Sequence, residues 1–242
     1  MDIEFAYKEY ALDSRKRDFG TIDSPGFIVQ PMDSLRLKLK SASIPISWYA
    51  TNTYNNQLLF SEDGSTQTQI LIKEGDYTGA TMATALQSLL TAASPGGHSY
   101  AVAFDSINGR LTVTGASAFT IYCKSTAGYS LGMSDYQDLT ANGSFVAEFP
   151  YRVDLSGPQM ISLQCPNVKS NSFQHGTARG ILCSIPVGHS SGGFITYDNQ
   201  SADYFEADPG GINTLSFAIL DSEGNTLSLN GKGFALSIGV LV

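Results

Sequence analysis

The sequence predicts an all-β fold, a single jelly-roll sandwich that carries a small inserted α+β module. Charged residues make up only 15% of the 242 residues and 24 residues are glycine, a composition typical of short strands joined by tight turns. Apolar and polar residues alternate in many short segments, and turn-forming residues separate these segments about every 8–12 residues. One segment near the middle of the chain has the periodicity of a helix instead.

Residues 1–30 show no sustained period, and we predict that they form an extended N-terminal arm. The arm contains a dense basic run, Arg15-Lys16-Arg17, followed by Phe19. Taken by itself, this run is best explained as a solvated stretch of the arm.

The predicted jelly roll comprises residues 31–67 and 141–242. Its first strand begins with Leu35, Leu37 and Leu39, which alternate with basic residues as in a strand with one buried face. Roughly eight strands fit a jelly roll. The later strand candidates are Phe149–Leu155, Gln159–Cys165, Gly180–Ile185, Gly193–Tyr197, Ile212–Leu220 and Gly233–Val242.

Residues 68–140 form the predicted insertion, a strand–helix–hairpin module. The helix follows Thr78, a suitable N-cap, and its apolar residues recur at helical spacing from Met82 to Ala93. The dipeptide Asn108-Gly109 then joins two alternating segments, which is the strongest short signal for a β-hairpin.

No pattern in the sequence predicts a catalytic, metal-binding or cofactor-binding site. Gly188–Gly192 matches the G-x-S-x-G pattern around Ser190, but a strand follows it instead of the required helix. His98, His175 and His189 lack the spacing of metal ligands, and the Asp221–Asn225 segment is better explained as a hairpin turn than as a calcium loop. We therefore expect a protein that is not an enzyme and has no cofactor.

Net charge and the absence of recognisable targeting segments argue against nucleic-acid binding, secretion and membrane insertion. The formal net charge of −8 disfavours direct binding to nucleic acid. The charged N-terminus lacks the apolar core of a signal peptide, no apolar run reaches the ~20 residues of a membrane span, and the three cysteines form no close pair. We expect a soluble, non-secreted chain with free thiols.

Several strings, in order along the chain, resemble the penton (vertex) capsid proteins of virophages, polinton-like elements and related giant DNA viruses. They include Leu37–Tyr49 with its Ile-Pro and aromatic pair, Ile70–Tyr77, Tyr129–Met133, Val153–Cys165, Gly180–Val187 and Leu215–Phe234. Together the strings extend from about Leu35 to the C-terminus. Met133 stands where that group usually has Phe, which is a conservative departure.

The resemblance implies a virion protein, made and assembled in the host cytoplasm, that forms a homopentamer at the icosahedral vertex. Its implied partners are further copies of itself, the surrounding trimers of major capsid protein, and the internal membrane or minor capsid proteins. On this reading the N-terminal arm, with Arg15, Lys16, Arg17 and Phe19 as candidate contacts, reaches the neighbouring capsid proteins or the membrane. Deletion of residues 1–25 is then expected to spare the fold and impair incorporation into the capsid. Two alternatives remain. The chain could be a minor capsid or spike protein that binds a host receptor or glycan through residues 68–140, or a hydrolase that uses Ser190.

Overall fold

The computed structural model describes residues 7–32, 36–141, 143–169, 180–188, 192–200, 204–207 and 212–241. Most of its regular structure is β-strand. The elements are β1 (Tyr7–Asp13), a 3₁₀ turn (Ser14–Lys16), β2 (Phe19–Gly20), β3 (Pro25–Met32), β4 (Arg36–Pro45), β5 (Gln57–Ser61), β6 (Thr68–Leu71), α1 (Gly79–Ala93), β7 (Tyr100–Asp105), β8 (Arg110–Gly115), β9 (Phe119–Ile121), α2 (Gly128–Leu131), β10 (Leu139–Ala141), β11 (Val146–Glu148), β12 (Met160–Gln164), β13 (Val168–Lys169), β14 (Ile181–Pro186), β15 (Phe194–Asp198), β16 (Phe205–Ala207), β17 (Ile212–Ser216), β18 (Ala218–Leu220) and β19 (Ala235–Leu241).

The chain divides into two compact units. Met1–Trp48 and Pro158–Val242 form the first, and Tyr49–Gly157 form the second. We call them the sandwich unit and the inserted unit. Each has its own cluster of buried apolar side chains.

The sandwich unit is built from antiparallel sheets. In a six-stranded sheet, β19 lies between β1 and β4, β15 and β16 pair with β4, and β13 pairs with β16. In two three-stranded sheets, β3 lies between β17 and β2, and β12 lies between β14 and β18. Strands β17 and β18 are separated only by Phe217, whose N–H donates to Pro25 O at 3.0 Å. Apolar side chains from these sheets form one buried cluster, which confirms the predicted all-β jelly-roll fold class.

A bulge in β4 explains an irregularity in its sequence. Leu37 and Leu39 are fully buried, and the next buried residues are Ala42 and Ile44, so the alternation changes phase. The register with β19 shifts at this point, since Leu39 lies opposite Ile238 while Ser41 lies opposite Ser237. The extra residue, Lys40, lets both halves of the strand direct apolar side chains into the same core.

The inserted unit is α+β. Its sheets have the orders β10-β9-β5-β6 and β11-β8-β7. Helix α1 begins after the predicted N-cap Thr78, which forms a reciprocal capping box with Thr81, and it buries Met82, Ala83, Leu86 and Leu90. Strands β7 and β8 form the hairpin predicted at Asn108-Gly109, with Gly109 at φ 73°. Helix, hairpin and capping residue therefore agree with the sequence pattern.

The limits of the predicted arm and insertion differ from those of the structure. Residues 7–13 and 25–32 are strands of the sandwich rather than an arm, because β1 pairs with β19 and β3 pairs with β17. Residues 57–61 fall within the predicted jelly roll (residues 31–67), but they form β5, which pairs with β6 and β9 of the inserted unit. The strand predicted at Phe149–Leu155 was wrong; the strand in this region is β11, which pairs with β8.

Candidate interaction surfaces

The candidate basic residues lie on a tight turn that follows β1. Asp13 caps the 3₁₀ turn by accepting from Arg15 N at 3.0 Å, and its carboxylate also accepts from Arg15 Nη2 at 2.7 Å. The hydrogen bond from the guanidinium lowers the pKa of Asp13 from 3.8 to about 2. Arg15 is thus fixed by its neighbour, whereas Lys16 points into solvent.

Arg17 and Phe19 are held by the backbone around them. Arg17 donates from Nε to Gly20 O at 3.1 Å and from Nη1 to Ser14 O at 3.3 Å. Phe19 lies in β2 opposite Gly26, and its ring covers the glycine so closely that a Cβ there would lie 2.2 Å from the ring. The ring still exposes 44% of its surface. The structure therefore brings all four predicted residues onto one short segment of the sandwich unit.

The turn docks against a segment from the other end of the chain. Ser14 N donates to Phe234 O at 2.9 Å, and Phe234 N donates to the buried Ser14 Oγ at 2.9 Å. The stem of Arg15 covers Gly233, where an added Cβ would lie 2.5 Å from Arg15 Cγ. A larger residue at 233 would therefore have to displace the stem of Arg15.

A groove of about 450 Å³ opens beside this contact. We call it the basic groove. It combines the charged groups of Arg15 and Lys232 with apolar surface from Phe194, whose side chain is 61% exposed. Its lining residues are Asp13, Arg15, Ser43, Pro45, Phe194, Gly231, Lys232, Gly233, Phe234 and Ala235. Sequence reasoning found Arg15 but missed Lys232 and Phe194, because only the pairing of β1 with β19 and of β15 with β4 brings them together.

A second concave surface lies within the inserted unit. This pocket, of about 460 Å³, is lined by Tyr129, Gly132, Met133, Tyr151, Arg152, Val153 and Asp154. Two of its aromatic side chains are largely exposed, Tyr129 at 73% and Tyr151 at 58%. We call it the tyrosine pocket. No periodic pattern in the sequence indicated it, because its residues lie in a short helix and an irregular segment.

A polar cluster in the inserted unit is structural. Glu62 accepts from the hydroxyl of Ser94, from Tyr100 OH at 2.8 Å and from Gly96 N at 2.9 Å. Burial raises the pKa of the Glu62 carboxyl, but these three hydrogen bonds outweigh burial and leave the pKa below its usual 4.5. The charge of Glu62 ties the end of α1 and the start of β7 to the loop after β5.

Asp221 and the three cysteines have structural roles. Asp221 accepts from Glu223 N at 2.9 Å and from Asn225 N at 2.8 Å, which confirms the predicted hairpin turn. Cys123, Cys165 and Cys183 are free, as expected, and burial raises the pKa of Cys165 and of Cys183 to about 12.

Three residues considered in the sequence analysis are not among those that the structure describes. Ser190, His175 and His189 lie outside the described residues. Within the described ranges, no group of three or more His, Cys, Asp or Glu side chains is arranged to hold a metal ion. No helix in the described part of the chain is long and apolar enough to cross a membrane.

Comparison with known proteins gives similar structures but no similar sequences. No protein-family model matches the chain, and no curated protein matches it. Among solved structures, the chain is similar to the mavirus penton protein, with a TM-score of 0.49 and 11% identity over 99% of this chain and 100% of that one. It is also similar to a chain of the Sputnik virophage structure determined by cryo-EM, with a TM-score of 0.39 and 12% identity over 99% of this chain and 98% of that one.

Proposed function

We propose that this chain is a structural capsid protein of a eukaryotic DNA virus and that it forms the pentameric vertex of an icosahedral shell. The observation that carries the proposal is the all-β sandwich unit, of jelly-roll type, with a separate unit inserted between β4 and β12. Jelly rolls of this type build the shells of many viruses. The proposed location at the vertex rests on the penton-like strings of the sequence, which occur in order along β4, β12, β14 and β18.

In this role the function lies in contacts between subunits rather than in a catalytic site. A five-fold ring joins one surface of each subunit to a different surface of its neighbour. The basic groove is our candidate for one of these surfaces. It presents Arg15 and Lys232 together with the exposed ring of Phe194, and the exposed Lys16 follows Arg15 in the chain.

Charge complementarity favours this choice. The chain has a net charge of −8, so a neighbouring copy carries more carboxylates than cations overall. Because Asp13 pairs with Arg15, Lys232 gives the groove its net positive charge. A positively charged groove with an exposed aromatic ring complements an acidic surface of the neighbour. The major capsid protein, the internal membrane and minor capsid proteins are the further partners that we propose for the vertex.

The test is the mass of the purified chain in solution, measured by light scattering over a range of concentrations and checked by negative-stain electron microscopy. We expect a pentamer with five-fold ring images. The double variant Lys16→Glu/Lys232→Glu should weaken the pentamer at least about tenfold, or 1.4 kcal/mol. Its control, Lys73→Glu, changes an exposed lysine of the inserted unit and should leave the pentamer intact.

Two results would contradict the proposal. A trimer in place of a pentamer would indicate a spike or fibre protein. Equal weakening by the double variant and by Lys73→Glu would show that overall charge, rather than the basic groove, controls association.

A further inference from the structure

The tyrosine pocket of the inserted unit has no part in the proposed vertex contacts. Tyr129 lies in α2, and Tyr151, Arg152 and Asp154 lie in the irregular segment that follows β11. Its volume of about 460 Å³ falls within the range of roughly 300–1,000 Å³ that is usual for small-molecule sites.

The walls of the pocket are fixed by backbone contacts. Tyr151 N donates to Gly132 O at 3.0 Å, and Asp154 N donates to Ser130 O at 2.9 Å. Gly132 ends α2 in the left-handed conformation with φ 83°, and an added Cβ would lie 2.3 Å from Tyr151 O. The two halves of the pocket are therefore in direct backbone contact, so a ligand meets a preformed site and little ordering opposes its binding.

The side chains around the pocket offer three kinds of contact. Tyr129 and Tyr151 provide exposed aromatic surface with a hydroxyl at its edge. Arg152 packs its stem against Gly109, and within the described residues its guanidinium has no hydrogen-bonding partner. Asp154 uses Oδ1 to accept from Ser156 Oγ at 2.6 Å and from Ser156 N at 3.2 Å, which leaves Oδ2 available as an acceptor.

This combination matches a sugar ring. A pyranose has an apolar face of C–H groups that packs on an aromatic ring, and its adjacent hydroxyls both donate and accept hydrogen bonds. Arg152 supplies donors only, and an ionised Asp154 supplies acceptors only, so the two together satisfy neighbouring hydroxyls. The charges of Arg152 and Asp154 cancel, and the chain as a whole is acidic, which disfavours a negatively charged sugar.

We propose that the tyrosine pocket binds a neutral pyranose unit of a glycan, with the ring against Tyr129 and Tyr151 and its hydroxyls bonded to Arg152 and Asp154. The inference does not depend on the vertex role. It would give the inserted unit a recognition function in addition to its place in the fold.

The experiment measures binding of free methyl glycosides of glucose, galactose, mannose, fucose and N-acetylglucosamine to the full chain by saturation-transfer NMR and titration. We expect at least one of them to bind. Tyr129→Ala and Tyr151→Ala should each weaken it at least about tenfold, equivalent to 1.4 kcal/mol. The matched control is Tyr136→Ala, because Tyr136 is 94% exposed and does not line the pocket. It should bind as the unchanged chain does.

Three outcomes would overturn the proposal. The first is that none of the five glycosides binds. The second is that glucuronic or sialic acid, titrated alongside the five glycosides, binds more tightly than all of them, which would contradict a neutral ligand. The third is that Tyr136→Ala weakens binding as much as the pocket variants do. Circular dichroism of each variant separates loss of the site from loss of the fold, and the solution mass of the pocket variants tests the vertex role separately.

Discussion

Replacement of Gly132 by alanine is expected to destabilise the inserted unit through two separable effects. The first is conformational, because alanine in the left-handed region costs about 1–2 kcal/mol, partly offset by about 0.4–1 kcal/mol from the less flexible unfolded chain. The second is steric. The new Cβ would lie 2.3 Å from Tyr151 O and 2.8 Å from Tyr151 C, so the backbone of residue 151 must move.

Forced movements of this kind in packed structure cost typically about 1–3 kcal/mol. For Gly132→Ala we therefore expect a total loss of about 2–4 kcal/mol in the free energy of unfolding. The control is Gly97→Ala, since Gly97 has a similar φ of 69° but no atom within 4 Å of an added Cβ. It should lose only about 1 kcal/mol.

The assay is urea denaturation followed by circular dichroism at 222 nm, where helix α1 of the same unit contributes most of the helical signal. If both variants lose the same free energy, crowding at Tyr151 contributes nothing and the steric part of the reasoning is wrong. If neither loses stability, the backbone contact between Gly132 and Tyr151 is not formed in solution.

Three further predictions address the cores, the basic turn and the thiols. Leu86→Ala should cost about 2–5 kcal/mol in urea denaturation because Leu86 is 1% exposed, whereas Ser88→Ala on the exposed side of α1 should be nearly neutral. Asp13 has a pKa of about 2 in the folded chain against 3.8 when unperturbed, so its stabilising effect is complete above pH 3.8 and is lost as the pH falls towards 2. The melting temperatures of the unchanged chain and of Asp13→Asn should therefore converge between pH 6 and pH 2. A difference that stays constant over this range would contradict the prediction. Cys165 should react with a thiol reagent at pH 8 only after denaturant is added, because burial raises its pKa to about 12; rapid reaction in the native chain would refute its burial.

Features encoded locally could be predicted from the sequence. Helix α1 has its capping residue, its apolar spacing and its hairpin within one stretch of chain, and all three were found. Strand β4 was also found, although the phase change at Lys40 becomes clear only from its pairing with β19. These signals depend on neighbouring residues and need no knowledge of the tertiary fold.

Features that depend on distant partners could not be predicted. In the described structure β1 pairs with one neighbour, and its apolar residues Tyr10 and Leu12 are only partly buried. The sequence of β1 therefore lacks a clear alternation of apolar and polar residues. The alternation of Leu58 and Phe60 identified β5 as a strand, but periodicity does not reveal which sheet a strand joins. The basic groove depends on contacts between residues near positions 15, 194 and 232, which no local pattern encodes.

The pairing of β1 with β19 has a consequence for synthesis of the chain. Strand β1 pairs with β19, which follows it only after the whole inserted unit and most of the sandwich unit, and β19 also separates β1 from β4. Until β19 has been synthesised, β1 and β4 each have an unpaired edge that exposes backbone groups to other nascent chains. The inserted unit is complete by Gly157, so it can fold before the sandwich unit closes. Ribosome-bound chains stalled before residue 235 should therefore have a protease-resistant inserted unit and a protease-sensitive sandwich unit.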